Sequence, residues 1–96
     1  MQTYITLLRW TSEGAKNIKQ SPTRLDAARK AFQAAGVNLK SFYMVTGRYD
    51  MVIVSEAPDD ISLAKATLSI ASQGSVQTET LRAFTETEYR SIIGVL

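Results

Sequence analysis

An α+β fold in the order β-α-β-β-α-β, followed by a short C-terminal helix, is what this sequence predicts, and three observations predict it. Residues 42–54, Phe42-Tyr43-Met44-Val45-Thr46-Gly47-Arg48-Tyr49-Asp50-Met51-Val52-Ile53-Val54, make two apolar strand-like runs joined through one glycine, the pattern of a β-hairpin. On either side of it lies a segment whose apolar residues recur at three- and four-residue spacing and which ends at a glycine, as amphipathic helices do. Beyond those segments stand an alternating β-prone run at the N-terminus and a more polar one near the C-terminus.

In chain order, Gln2 to Trp10 alternates, with Ile5 and Leu7 on one face and Tyr4, Thr6, Leu8 and Trp10 on the other. Thr11 or Ser12 caps a short helix carrying Ala15 and Ile18, and Ser21-Pro22 supplies an N-cap with proline at the first helical position of the next. Leu25, Ala28, Phe32 and Ala35 form the core stripe of that helix, and Gly36 stops it. Val37 to Thr46 and Tyr49 to Glu56 are the hairpin strands. Ala57-Pro58-Asp59-Asp60 then delivers an aspartate N-cap to a helix with Ile61, Ala64, Leu68 and Ala71 on its inner side, and Gly74 lies past its end. Val76 to Phe84 is a polar edge strand, and Thr85-Glu86-Thr87-Glu88 matches a capping box that opens a helix through Ile93. The order is the split βαβ, or ferredoxin-like, arrangement, expected as one domain over residues 1–96.

Composition narrows the function. Eleven basic and nine acidic residues give a net charge of +2, and the basic ones are too scattered for a phosphate-tracking stripe, so nucleic acid is not an expected partner. No cysteine is present, which removes disulfides, thiolate catalysis and cysteine-held metal centres, and fits a cytoplasmic protein. No histidine is present either. Any catalysis must therefore run on carboxylate, tyrosine, lysine or arginine, and histidine-ligated haem is excluded. Asp59 and Asp60 are explained as helix caps rather than metal ligands, and no cofactor is expected. No apolar run approaches the about 18 residues of a membrane span, and the N-terminus carries no export signal, so no membrane partner is expected.

The hairpin also speaks about association. Met51 and Ile53 alternate with Val52 and Val54, so both faces of this strand must be covered. Right-handed crossovers place both helices on one face of such a sheet and leave the other bare. With Gly47-Arg48 as the turn, Phe42, Met44, Met51 and Ile53 face the helices. Tyr43, Val45, Asp50, Val52 and Val54 face away, joined in this reading by Tyr4, Leu8 and Trp10. A chain of 96 residues buries only about 60–65% of its unfolded surface, so sheet-to-sheet homodimerisation is the expected cover.

Polar groups on that face make the candidate ligand-binding residues Asp50, Tyr43, Trp10, Tyr49 and Arg82. Asp50, just past the turn, either accepts backbone N–H bonds or lies inside the barrel, where it binds a ligand or removes a proton. Trp10 and Tyr43 carry an indole N–H and a phenol O–H that need partners when buried. Arg9 and Arg82 are expected to pair with Glu79 or Glu56.

At Gly47-Arg48-Tyr49-Asp50 the chain resembles the GYD-domain family, named for a glycine, tyrosine and aspartate at such a hairpin. The resemblance also takes in Leu8-Arg9-Trp10-Thr11 and Gly14, Ser21-Pro22-Thr23-Arg24-Leu25, Glu56-Ala57-Pro58-Asp59-Asp60, and Thr78-Glu79-Thr80-Leu81-Arg82-Ala83-Phe84. Here Arg48 separates the glycine from the tyrosine. The resemblance implies a ferredoxin-like fold of the dimeric α+β barrel kind and a family without an assigned biochemical activity, hence no catalytic residues to carry over. A weaker similarity, at the hairpin glycine, tyrosine and aspartate alone, is to the small-molecule-binding domain of Lrp/AsnC regulators, without their DNA-binding helices. The expected function is a small-molecule-binding or interaction module. The alternative is a cofactor-independent enzyme of monooxygenase or isomerase type, with Asp50 as base and tyrosine or arginine stabilising an enolate or phenolate.

Overall fold

The computed structural model describes every residue from Met1 to Leu96. The chain runs as β1 (Gln2–Trp10), α1 (Ser12–Lys16), a 3-10 turn (Ile18–Gln20), α2 (Ser21–Ala34), β2 (Asn38–Met44), β3 (Met51–Ala57), α3 (Asp60–Ala71), β4 (Val76–Ala83) and α4 (Glu86–Gly94). The strands form one four-stranded antiparallel sheet in the order β2-β3-β1-β4, which is the ferredoxin-like topology.

Local chemistry sets the boundaries. The Thr11 hydroxyl accepts the Gly14 N–H at 3.1 Å to start α1, and the Asp59 carboxylate accepts the Ser62 N–H at 2.8 Å to start α3. Hydrogen bonding from Ser62, its backbone N–H first, favours the ionised Asp59 and holds its carboxyl below the ordinary carboxylate range. Thr85 and Glu88 close a reciprocal capping box on α4, through contacts of 3.2 and 2.9 Å. Gly36 (φ 78°) turns the chain out of α2 in the left-handed conformation that glycine adopts without steric cost. Ser21 does not cap α2 as expected: the 3-10 turn runs directly into the helix, so Ser21 is already helical and the cap position, Gln20, makes no side-chain bond.

Register decides which side chains the helices cover. Met44 pairs with Met51, Tyr43 with Val52 and Phe42 with Ile53, the expected register. The strands stop at Met44 and restart at Met51, however, and the Val45 N–H donates to the Asp50 carbonyl at 2.9 Å, so the connection is longer than the expected two-residue turn at Gly47-Arg48. On the other side of β3, Leu8 lies opposite Met51, Thr6 opposite Ile53 and Tyr4 opposite Ser55. Directly opposed residues share a face, so Tyr4, Thr6 and Leu8 belong with Met51 and Ile53 beneath the helices, packed with Phe32 of α2 and Leu63, Ala66 and Ile70 of α3. This corrects the expectation for β1: Tyr4, Leu8 and Trp10 lie on the covered side, and the bare side carries Ile5 and Leu7. Both parities of β1 are apolar, and only the pairing with β3 distinguishes them.

Two further corrections have the same cause. In α3 the buried stripe is Leu63, Ala66, Thr67 and Ile70, while Ile61 and Leu68 are exposed. Both stripes have helical spacing. The true one is disguised by Thr67, whose hydroxyl donates to the Ala64 carbonyl at 3.2 Å and so enters the core with its proton satisfied. Met44, at the last pair before the turn, is 67% exposed rather than covered.

Tyr4 anchors the end of the core remote from the hairpin. It is buried, its hydroxyl donates to the Asp60 carboxylate, and Gln2 Oε1 lies 2.5 Å away as a second acceptor. Burial first, and the Asp60 carboxylate second, push its pKa from 10.0 up to about 12. The unfolded chain releases this proton near pH 10 and the folded chain holds it to about pH 12, so the contribution is complete below pH 10 and is lost as pH rises through that window. Urea midpoints measured from pH 9 to 12 should show an extra loss of about 1–2 kcal/mol relative to Tyr4→Phe, a value reduced for solvent screening at the hydroxyl end of the ring; parallel pH profiles would refute the assignment.

Candidate functional site

Two features of the molecule are shaped for binding, one on each side of the sheet. On the helix side, a cavity of about 350 Å³ lies between α2, α3 and the sheet. Its walls come from Leu8 and Trp10 at the end of β1, Phe42, Met51 and Ile53 beneath, and the small residues Ala27, Ala28 and Ala31 of α2. Alanines on an inward helix face leave space that larger side chains would fill, and close-packed cores carry few voids larger than a water molecule. Polar groups come from Ser21 and Arg24 at the start of α2, Ser69 of α3, and Gln73 and Ser75 in the α3–β4 connection.

The opposite face of the sheet is bare. Leu7 and Val52 stand side by side, as do Ile5, Val54 and Leu81, with Tyr43 next to Val52 on the β2 edge. Leu81 and Tyr43 are exposed, 45% and 59%, and the first four are only half-buried by their neighbours. No helix lies on this side. α4 does not close it either: it has no buried residue and leaves Tyr89, Ile92 and Ile93 exposed.

The sequence-derived candidates distribute over both sides. Asp50 ties the hairpin to β1: its carboxylate accepts the Trp10 backbone N–H at 3.0 Å, and its own N–H donates to the Leu8 carbonyl at 2.9 Å. The Trp10 indole lines the helix-side cavity, and its N–H is buried without an acceptor. Tyr49 lies by the bare face, donating its hydroxyl to Glu79 at 3.0 Å beneath the Arg9 guanidinium, which is 4.8 Å from the ring centre. Tyr43 stands on the bare face. Arg82 sits at the other end of β1, about 20 Å from Trp10 by strand rise, over the rings of Tyr4 and Phe84 at 5.6 and 4.6 Å.

The structure thus brings Asp50 and Trp10 together, sets Tyr49 and Tyr43 on the other side, and leaves Arg82 apart. The expected ion pairs are also replaced. Arg9 donates to the Arg48 carbonyl at 2.8 Å, Arg82 approaches Glu88 at 4.0 Å, and Glu56 takes Lys40 at 3.8 Å. Sequence reading missed Arg24 as a wall of the cavity, and no local signal marks it, since the alanines that follow it on α2 are ordinary helix formers.

Comparison with known proteins agrees with this architecture. A protein of Thermus thermophilus named "Glutamine synthetase and cystathionine beta-lyase binding protein" is 39% identical over 84 residues, covering 86% of this chain and 88% of that one. The crystal structure of TTHA0845, also from Thermus thermophilus, superposes with a TM-score of 0.58 at 29% identity, over 88% of this chain and 95% of the other. MtbAldR superposes with a TM-score of 0.67 at 13% identity, a likeness of fold alone that spans 88% of this chain and 52% of that longer one. The GYD domain matches residues 4–93, nearly the whole sequence, and with the hairpin Gly47, Tyr49 and Asp50 in place the chain belongs to the GYD domain family.

Proposed function

We propose that this protein is a small binding module that pairs with a second copy of itself through the bare sheet face and, as a dimer, docks onto other proteins. The observation that carries the reading is the uncovered apolar layer of Ile5, Leu7, Val52, Val54 and Leu81, on a sheet with helices on one side only. At about 25 cal/mol per Å², hiding on the order of 600 Å² of apolar surface favours association by ~15 kcal/mol, against an estimated cost of about 4–15 kcal/mol. Two such faces stacked at about 10 Å form the closed barrel, and the exposed Tyr89, Ile92 and Ile93 of α4 add apolar surface for the partner copy. The relative named for binding glutamine synthetase and cystathionine β-lyase supports a protein-docking role and supplies the first two probes.

Val52→Lys places a charge between Leu7 and Tyr43 on the face, where an unpaired charge buried by a second copy costs several kcal/mol. Light scattering on a sizing column should give twice the 10.6 kDa chain mass for the unchanged protein and a single chain mass for the variant, with unchanged far-UV circular dichroism. A monomeric unchanged protein refutes the reading. Binding of immobilised dimer to either enzyme named for the relative tests the docking role, and the absence of binding to both would argue against those two as partners. Asp50 acts in this structure as an acceptor for backbone N–H, so no observation favours the enzymatic alternative.

A further inference from the structure

The helix-side cavity lies across the sheet from the proposed dimer face and stands independently of that reading. It has three properties that together define a ligand. First, its walls are mainly apolar and its volume, about 350 Å³, falls at the small end of the range for organic ligands. Second, its single ionisable residue is Arg24; no aspartate or glutamate lines it, and Arg24 makes no ion pair anywhere in the chain. Arg24 is half-buried as a residue, and two of the five donors of its guanidinium are engaged, with the carbonyls of Asn17 and Gly14 at 3.0 and 3.3 Å. Third, Trp10 brings a large aromatic surface to the same walls.

An apolar hollow with one unpaired cation at its wall fits an amphiphilic anion. We infer that the cavity binds a small carboxylic acid with an aliphatic or arylalkyl body of roughly ten non-hydrogen atoms, its carboxylate held by Arg24 and its body against Trp10, Phe42, Ile53 and Ala28. The guanidinium fork suits a carboxylate. A neutral body of the same size gains the apolar contacts and forfeits the ionic one.

Trp10 is the only tryptophan in the chain, so its fluorescence reports on the cavity directly. Octanoate is the probe and octan-1-ol its uncharged counterpart. Titration with octanoate should change Trp10 emission saturably, with half-saturation below about 1 mM, and octanol should bind at least about tenfold more weakly. Arg24→Gln should abolish that preference, and Arg24→Lys should restore part of it. Ala28→Phe, which fills the hollow, should remove the response to both compounds; its fold is checked by circular dichroism, with Ala28→Leu replacing it if it does not fold. Emission unchanged to 5 mM octanoate (about fivefold above the expected half-saturation), equal binding of octanol, or full binding by the filled variant would each overturn the inference.

Discussion

Gly14→Ala is expected to lower the thermal midpoint by about 15 °C, an effect of about 3 kcal/mol from one methyl group. A Cβ at this position would stand 2.1 Å from the Ser75 carbonyl oxygen, far inside van der Waals contact, and the obstacle is backbone rather than a flexible side chain. Neither partner can yield cheaply. The Ser75 carbonyl accepts the Thr11 N–H at 3.0 Å, the Thr11 hydroxyl donates to the Gly74 carbonyl at 2.6 Å and also caps α1, so moving α1 away breaks the set. Gly94→Ala is the control: nothing lies within 4 Å of its added Cβ, and alanine there should be neutral or slightly stabilising. Differential scanning calorimetry of the two variants at one protein concentration checks the pair, and a Gly14→Ala midpoint within a few degrees of the parent's would mean that the α1–β4 junction is looser than described.

Phe32→Ala should cost about 4 kcal/mol, most of the stability of a domain this size. Phe32 is wholly buried in the core that α2 shares with α3 and the sheet. Removing its ring leaves a void in that core, and the surrounding helices and sheet relax only in part, so most of the lost contacts are not recovered. Phe32→Leu keeps most of the volume and should cost about 1–1.5 kcal/mol. Urea unfolding monitored through Trp10 gives both values. If the alanine variant loses less than about 1 kcal/mol, the core is not organised around this ring.

The order of elements was legible in the residues because each boundary is marked by chemistry that acts locally. Examples are the Asp59 cap, the Thr85–Glu88 box, Gly36 after α2, and Gly47, whose positive φ lies in the β2–β3 connection. What could not be read was the choice between two equally periodic faces. In β1, Ile5 and Leu7 compete with Tyr4, Leu8 and Trp10; in α3, Ile61 and Leu68 compete with Leu63 and Ile70. Periodicity is a property of a segment, whereas facing is a property of its neighbours, and pairing across β3 settled the first case only in three dimensions.

The candidate site divides along the same line. Asp50 next to Trp10 follows from the hairpin register and the end of β1, so its backbone-accepting role was among the readings open from sequence. The cavity was not legible, because it depends on what α2 lacks rather than on what it carries: Ala27, Ala28 and Ala31 look like ordinary helix formers until the sheet is laid beneath them. Arg24, one of eleven basic residues in a diffuse pattern, acquires meaning only from the company of those walls.

Sedimentation equilibrium of the unchanged chain across low to high micromolar concentration puts the association claim to its most direct test. The bare layer of Ile5, Leu7, Val52 and Val54 calls for a species of twice 10.6 kDa throughout, dissociating only when that layer is charged. A single-chain mass over the whole range would contradict it, because the sheet would then tolerate that apolar surface in water with no second copy to cover it.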